Sequence, residues 1–244
     1  MCRHLGYLGP PLTLASLIYD GEHSLERQSY APRMTQGNLL NADGFGVGWY
    51  SGGETRRFRR AQPIWTDVSF REIAEVVPAG CAVAAIRSAT SGFPVDESCA
   101  QPFRAGTRLF SHNGKVEGFA GVEGKLRELA GDLAEVPDAR APVDSALIFA
   151  IAARTWRAGV PIEDGLAEAA RALGALAAGR YNLLAADGTA LAATVWGDSL
   201  FVRTTADTIR IASEPLTEEA GWEPVPDRSL VTADLESGVR IDPL

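Results

Sequence analysis

The sequence predicts an α+β domain in which two antiparallel sheets pack face to face with helices on the outside. Three observations point there. Strand-like segments come first, three helical patterns follow, and short strands resume, without the regular βαβ alternation of a doubly wound sheet. Segment 81–87, CAVAAIR, is apolar up to its last residue and reads as a buried strand. From residue 180 onward, short alternating runs separated by turn residues fit a meander of antiparallel strands.

In chain order, residues 12–19 (LTLASLIY) have helical spacing and follow Pro10-Pro11, and the polar stretch ending in QSYAPR reads as an irregular loop. Segment 41–50, NADGFGVGWY, opens on turn residues and runs into a strand punctuated by glycines. Glycine inside a strand means either a close approach by another backbone or a ligand, or a tight turn at Asp43-Gly44. Residues 56–61, RRFRRA, read as an exposed basic strand; their charges do not extend across a face as a nucleic-acid surface would need. A helix is expected over 69–77, with Ser69 as N-cap and Glu72 at the capping-box spacing. Residues 91–103 read as a long loop, and 108–114 as a strand that breaks into Asn113-Gly114. Helical patterns then cover about 121–130, 142–157 and 162–177, the second with Leu147, Ala150 and Ile151 on one face. Neither a repeat nor a linker interrupts the chain, so residues 2–244 are expected to form one domain.

Composition narrows the function. The 244 residues carry a formal charge of −8, which argues against nucleic acid as the main partner. No apolar run reaches the length of a membrane helix, and no signal-peptide pattern opens the chain, so a cytoplasmic protein is expected. The three cysteines, Cys2, Cys81 and Cys99, show no metal-ligand spacing, and neither a metal nor a cofactor is expected.

The residues with chemical potential each allow two readings. Cys2 follows the initiator methionine. Once Met1 is removed, it carries a thiol and, on the same residue, an α-amine whose ordinary pKa of about 7.7–8.0 suits a general base. Arg87, ending an apolar strand, is either half of a structural ion pair or a carboxylate clamp. Asn113-Gly114 is either a hairpin turn or an oxyanion hole built of a side-chain amide and a backbone N–H. Asp144 either caps a helix or receives an ammonium. Cys81 and Cys99 read as a buried small hydrophobe and an incidental thiol.

In order and rough spacing, Cys2, Asp43-Gly44-Phe45-Gly46, Arg87-Ser88-Ala89-Thr90, His112-Asn113-Gly114 and Asp144-Ser145 resemble the class II glutamine amidotransferases. That resemblance spans about residues 2–150 and implies the N-terminal-nucleophile hydrolase fold, a four-layer αββα sandwich. It implies Cys2, Asn113 and Gly114 as catalytic residues, with Cys2 attacking a γ-glutamyl carbonyl. It further implies that Arg87, Thr90, His112 and Asp144 bind substrate, with no catalytic role for His112. Many members have a histidine two residues before the arginine; Ala85 stands here. The stretches MCRHLGYLGPP, QSYAPR, NADGFGVGWY and RSATSG are similar to a subgroup that hydrolyses γ-glutamyl hercynylcysteine S-oxide in ergothioneine biosynthesis. It implies a small-molecule γ-glutamyl substrate and no required partner protein. The trimethylated histidine of that substrate would need an aromatic face, for which Tyr7, Trp49, Tyr50 and Trp65 are candidates. A glutaminase subunit supplying ammonia to a separate synthase, and a binding module without turnover, are the competing expectations.

Overall fold

The computed structural model describes residues 2–35 and 40–244. Strand β1 (Arg3–Thr13) leads into α1 (Leu14–Tyr19) and α2 (Leu25–Gln28). After these come β2 (Phe45–Ser51), β3 (Glu54–Arg60), α3 (Val68–Val76) and β4 (Pro78–Ile86). Next are β5 (Phe103–Ala105), β6 (Arg108–Val116), α4 (Phe119–Ala130), α5 (Asp144–Arg157) and α6 (Ile162–Leu176). The chain ends with β7 (Gly179–Ala186), β8 (Ala190–Val195), β9 (Phe201–Thr204), β10 (Ile209–Ala212), β11 (Trp222–Pro224), β12 (Ser229–Asp234) and β13 (Gly238–Pro243).

Two antiparallel sheets result. One has the order β11-β9-β10-β1-β4-β2-β3, the other β13-β12-β8-β7-β6-β5. Alternation along each strand divides the apolar side chains among three cores. Leu5, Tyr7, Phe45 and Val47 face α1 and α3 on the outside of the first sheet. Phe110, Leu183 and Ala185 face α5 and α6 on the outside of the second. Leu8, Val83, Leu109, Leu184 and Leu191 fill the space between the sheets. The layers run helix, sheet, sheet, helix, which is the expected αββα sandwich. None of the described helices is long and apolar enough to cross a membrane.

Several local readings change. Residues 12 and 13 belong to β1, so α1 starts two residues later, capped by the Thr13 hydroxyl. The polar stretch before residue 34 contains α2, capped by Ser24. Helix α3 is capped by Asp67, whose carboxylate accepts the Phe70 N–H at 2.9 Å, and not by Ser69. The Asp43-Gly44 turn does not close a hairpin; the β2–β3 turn lies at Gly52-Gly53. Asn113-Gly114 makes no turn either, because β6 runs on to Val116 and pairs Asn113 with Asn182 and Gly114 with Tyr181. The C-terminal strands are not one meander: β7, β8, β12 and β13 join the second sheet and β9, β10 and β11 the first.

The glycines of β2 answer to close approach. A Cβ at Gly46 would lie 2.3 Å from the Gln101 carbonyl oxygen, and one at Gly48 would lie 2.6 Å from a Leu109 methyl. The segment before β5 and strand β6 both press on the face of the first sheet at these two positions.

Candidate active site

Cys2 directly precedes β1, and its neighbour Arg3 pairs with Ile86 at the end of β4. Met1 lies outside the described residues. Cys2 is 9% exposed, with Sγ 4.0 Å from the Ser88 carbonyl oxygen. The sheet register sets what faces it. Gly48 and Gly6 share the level of Val83, where Leu109 packs across the gap; one level on, His4 Nδ1 lies 3.3 Å from Ser111 Oγ. With a period of two, the next positions of these two strands that face the space between the sheets are Cys2 and Asn113.

Asn113 is fully buried, and neither Nδ2 nor Oδ1 has a hydrogen-bond partner among the described residues. Its cross-strand partner Asn182 is the contrast, with Nδ2 donating to the Asp198 and Ser199 carbonyls and Oδ1 accepting the Trp196 N–H. Gly114 admits no side chain, since a Cβ would lie 1.9 Å from the Arg180 carbonyl oxygen. Opposite it, Tyr181 sends its N–H to the Trp196 carbonyl on the far side, so the Gly114–Tyr181 pair exchanges no bond. The Gly114 N–H therefore points out of the ladder. On the same side, the His112 N–H goes to Gln101 Oε1 and the Val116 N–H to Asp144 Oδ2.

Arg87 directly follows β4, one residue past Ile86, the partner of Arg3. Its N–H donates to the Gly44 carbonyl at 2.7 Å and its carbonyl accepts the Asp43 N–H, which ties it to the Asp43-Gly44 turn; Asp43 Oδ2 accepts the Ala89 N–H. The guanidinium donates Nη1 to the Pro94 carbonyl, while Nη2 is buried with no partner among the described residues. No ion pair among the described residues involves Arg87, so the structural salt bridge is ruled out. Thr90 is exposed, and its carbonyl accepts the Phe93 N–H.

Asp144 occupies the first position of α5, one residue inside the N-cap Val143. Its carboxylate does not cap the helix: Oδ2 accepts the Val116 N–H at 2.9 Å and Oδ1 the Ser145 N–H at 2.8 Å. A carboxylate accepts about four bonds, so one further lone pair on each oxygen can take an ammonium. His112 points the other way, into the helix layer. Its Nε2–H donates to the Arg180 carbonyl at 2.9 Å, and Nδ1 accepts the Ser145 hydroxyl at 2.8 Å. Burial holds its pKa below the ordinary histidine value against the pull of Asp144.

A second set of residues carried no signal in the sequence. Arg3 is fully buried: it donates Nη1 to the Cys2 carbonyl at 3.0 Å, Nη2 to the Met34 carbonyl and Nε to Glu214 Oε1 at 2.8 Å. Glu214 Oε2 in turn accepts the Arg33 N–H. The loop before residue 36 is thus fastened to the nucleophile. Of the aromatic candidates, Tyr7 is buried with its hydroxyl on the Pro10 carbonyl, and Trp49 packs in the outer core. Tyr50 donates to the Thr107 carbonyl and lies next to the β2–β3 turn, at the other end of the strand. Trp65 alone of the four is exposed, and it stands edge-on to Tyr30 at 5.7 Å. Cys81 and Cys99 are buried; burial pushes the Cys81 thiol up to about 12 and raises that of Cys99.

Comparison with known proteins bears on the family and the fold. The description "Glutamine amidotransferases class-II" matches residues 19–206. A gamma-glutamyl-hercynylcysteine sulfoxide hydrolase of Mycobacterium tuberculosis is 41% identical over 95% of this chain and 92% of its own. The protein of the same name from Mycolicibacterium smegmatis is 40% identical over 95% of each chain. In structure, a glutamine aminotransferase class-II domain protein from Silicibacter pomeroyi superposes with a TM-score of 0.71 at 21% identity, covering 99% of both chains. The glutamine phosphoribosylpyrophosphate amidotransferase of B. subtilis gives 0.70 at 16% identity, over 99% of this chain and 49% of that one. These two likenesses establish the fold. With the sequence match over most of its length, the chain belongs to the class II glutamine amidotransferases.

Proposed function

We propose that the protein hydrolyses the γ-glutamyl amide bond of γ-glutamyl hercynylcysteine sulfoxide, releasing glutamate and hercynylcysteine sulfoxide in ergothioneine biosynthesis. The single observation that carries the chemistry is Asn113, a buried amide with no partner at the level of Cys2. The identity of about 40% with hydrolases of that name supports the substrate.

In this reading Met1 is removed and the Cys2 α-amine takes the thiol proton as Sγ attacks the γ-carbonyl carbon. The carbonyl oxygen becomes an oxyanion, held by Asn113 Nδ2–H and the Gly114 N–H. Collapse breaks the C–N bond, and the ammonium form of the Cys2 amine returns the proton to the leaving nitrogen. A γ-glutamyl thioester remains on Cys2. Water, deprotonated by the same amine, attacks it through a second oxyanion, releasing glutamate and the thiol. Arg87 Nη2 recognises the α-carboxylate and Asp144 the α-ammonium. Thr90 lines the carboxylate end, and His112 acts at one remove by fixing Ser145 beside Asp144. The reaction needs no cofactor, metal or partner protein, and the free thiols of all three cysteines suit a reducing cytoplasm.

Competition tests the substrate. Glutamine and the γ-glutamyl betaine conjugate are mixed with the enzyme in one tube, and both products are followed by mass. The conjugate is expected to win by well over tenfold in kcat/KM, a ratio that corresponds to about 1.4 kcal/mol of contacts with the leaving group. Equal consumption would replace the assignment with a general glutaminase.

A further inference from the structure

We propose that Gln101 is a positioning residue for the oxyanion hole, and that the basic strand β3 exists to hold it; this rests on the reading of Gly114 given above. Strand β5 pairs only three residues with β6, the last contact toward the site being Phe103 with Phe110. Where β5 has stopped, the Gln101 side chain takes over the ladder. Its Oε1 accepts the His112 N–H, and its Nε2 donates to the His112 carbonyl at 3.2 Å. A primary amide copies the donor–acceptor pair of a backbone unit. It therefore fixes the β6 edge at the residue before Asn113, yet occupies only that one position. A continued strand would reach the next outward N–H, that of Gly114, and close it. Gln101 leaves it open while Asp144 secures the Val116 N–H on the other side.

The strap that carries Gln101 is clamped from β3. Arg59 Nη1 donates to the Ala100 carbonyl and Arg57 Nη1 to the Pro102 carbonyl, each at 3.2 Å, bracketing residue 101. Both guanidiniums share Asp138, with Arg59 Nη2 at 3.6 Å and Arg57 in a shorter contact, and the Arg104 N–H donates to the same carboxylate. Across the sheet, Gly46 and Gly48 stand opposite Arg59 and Arg57, leaving room for the strap against β2. Arg57 and Arg59 of the basic run thus face inward onto a support of the active site, while Arg56 and Arg60 are exposed.

Two rates on each variant separate positioning from general disruption. One is acylation of Cys2 by the γ-glutamyl substrate, which passes through an oxyanion. The other is alkylation of Cys2 by iodoacetamide, which does not. Gln101→Ala is expected to slow acylation by about tenfold or more, with KM within about twofold and alkylation unchanged. Gln101→Glu keeps the acceptor for the His112 N–H but sets a carboxylate against the His112 carbonyl, and is expected to slow acylation alone as well. Should Gln101→Ala not fold, Gln101→Glu decides by the same two rates. Equal slowing of both reactions, or no slowing of either, overturns the proposal. Asn113→Ala is the control for the underlying reading. If it acylates normally, the oxyanion hole itself is misplaced; if it is slow while the Gln101 variants are normal, only the positioning role falls.

Discussion

An amide buried without a hydrogen bond costs about 1–3 kcal/mol, and Asn113 bears such a cost with both of its polar atoms. A fold keeps such a group where it does work that the folded state alone does not need. Asn113→Ala is therefore expected to lower kcat by about 10²–10³ while the urea midpoint stays level or rises. A fall in stability with kcat intact would make Asn113 a structural residue. Arg87 has the same character, since its Nη2 is buried and unpaired while Nη1 holds the Pro94 carbonyl. Lysine keeps the charge but cannot present two coplanar donors. Arg87→Lys should lose about tenfold or more in kcat/KM on γ-glutamyl substrates, and a variant as active as the parent would move the carboxylate site elsewhere. At Asp144 the discriminating measurement uses an N-acylated substrate. Asp144→Asn keeps an oxygen for the Val116 N–H but removes the charge, so its preference for the free α-ammonium should vanish.

At the scale of elements, the site is made by strands that end early and by glycines that let others in. Ala at Gly46 would collide with the Gln101 and Phe58 backbone carbonyls, whereas Ala at Gly48 meets the end of the Leu109 side chain, which can turn aside, and Pro102 Cγ at 3.0 Å. Overpacking costs about 1–3 kcal/mol. Urea unfolding should place Gly46→Ala at the upper end and Gly48→Ala at the lower; the reverse order would mean that the strap yields more easily than the core. Much of this was legible. The glycine strand, the buried strand ending in Arg87 and the three helices follow from period and turn chemistry, which are local. What was missed depends on distant partners. Strand β1 contains Gly-Pro-Pro, an ordinary breaker, but the prolines fall where its pairing with β4 shifts register between Leu8 and Leu12. Asn113-Gly114 has the composition of a turn, and β7 overrides it by pairing with β6 from Leu109 through Val116. Gln101 gave no signal because its role depends on where β5 stops. Cys2 with Arg87, Asn113 and Asp144 could be assembled only through the ordered motifs, since register alone brings Cys2 level with Asn113.

For the whole molecule, the same packing that builds the site places two histidines where water cannot reach them. His4 lies between the sheets, and burial, helped by His112 and Arg3, holds its pKa down to about 3. Burial holds that of His112 below the ordinary value as well. Both are near 6.5 in the unfolded chain. Between the folded and unfolded values the unfolded state binds more protons than the native one, so stability must rise with pH across that window. Above about pH 6.5 both states carry neutral imidazoles and the dependence ends. Below it, His4 removes up to about 1.4 kcal/mol per pH unit, because the native state can accept the proton only by charging a buried ring, and His112 acts in the same direction. Acid therefore acts first on the sandwich itself, before most carboxylates titrate. Urea unfolding at pH 7.5, 6.0 and 5.0 measures the slope, expected to be flat at the top and to steepen to about 1.4 kcal/mol per unit or more at the bottom. His4→Gln, which leaves a neutral hydrogen-bonding side chain beside Ser111, should flatten that slope whatever it does to the stability at pH 7.5. A parent protein with constant stability from pH 7.5 to 5.0 would mean that the native state charges these histidines freely, and the closed, dry packing between the sheets would have to be given up.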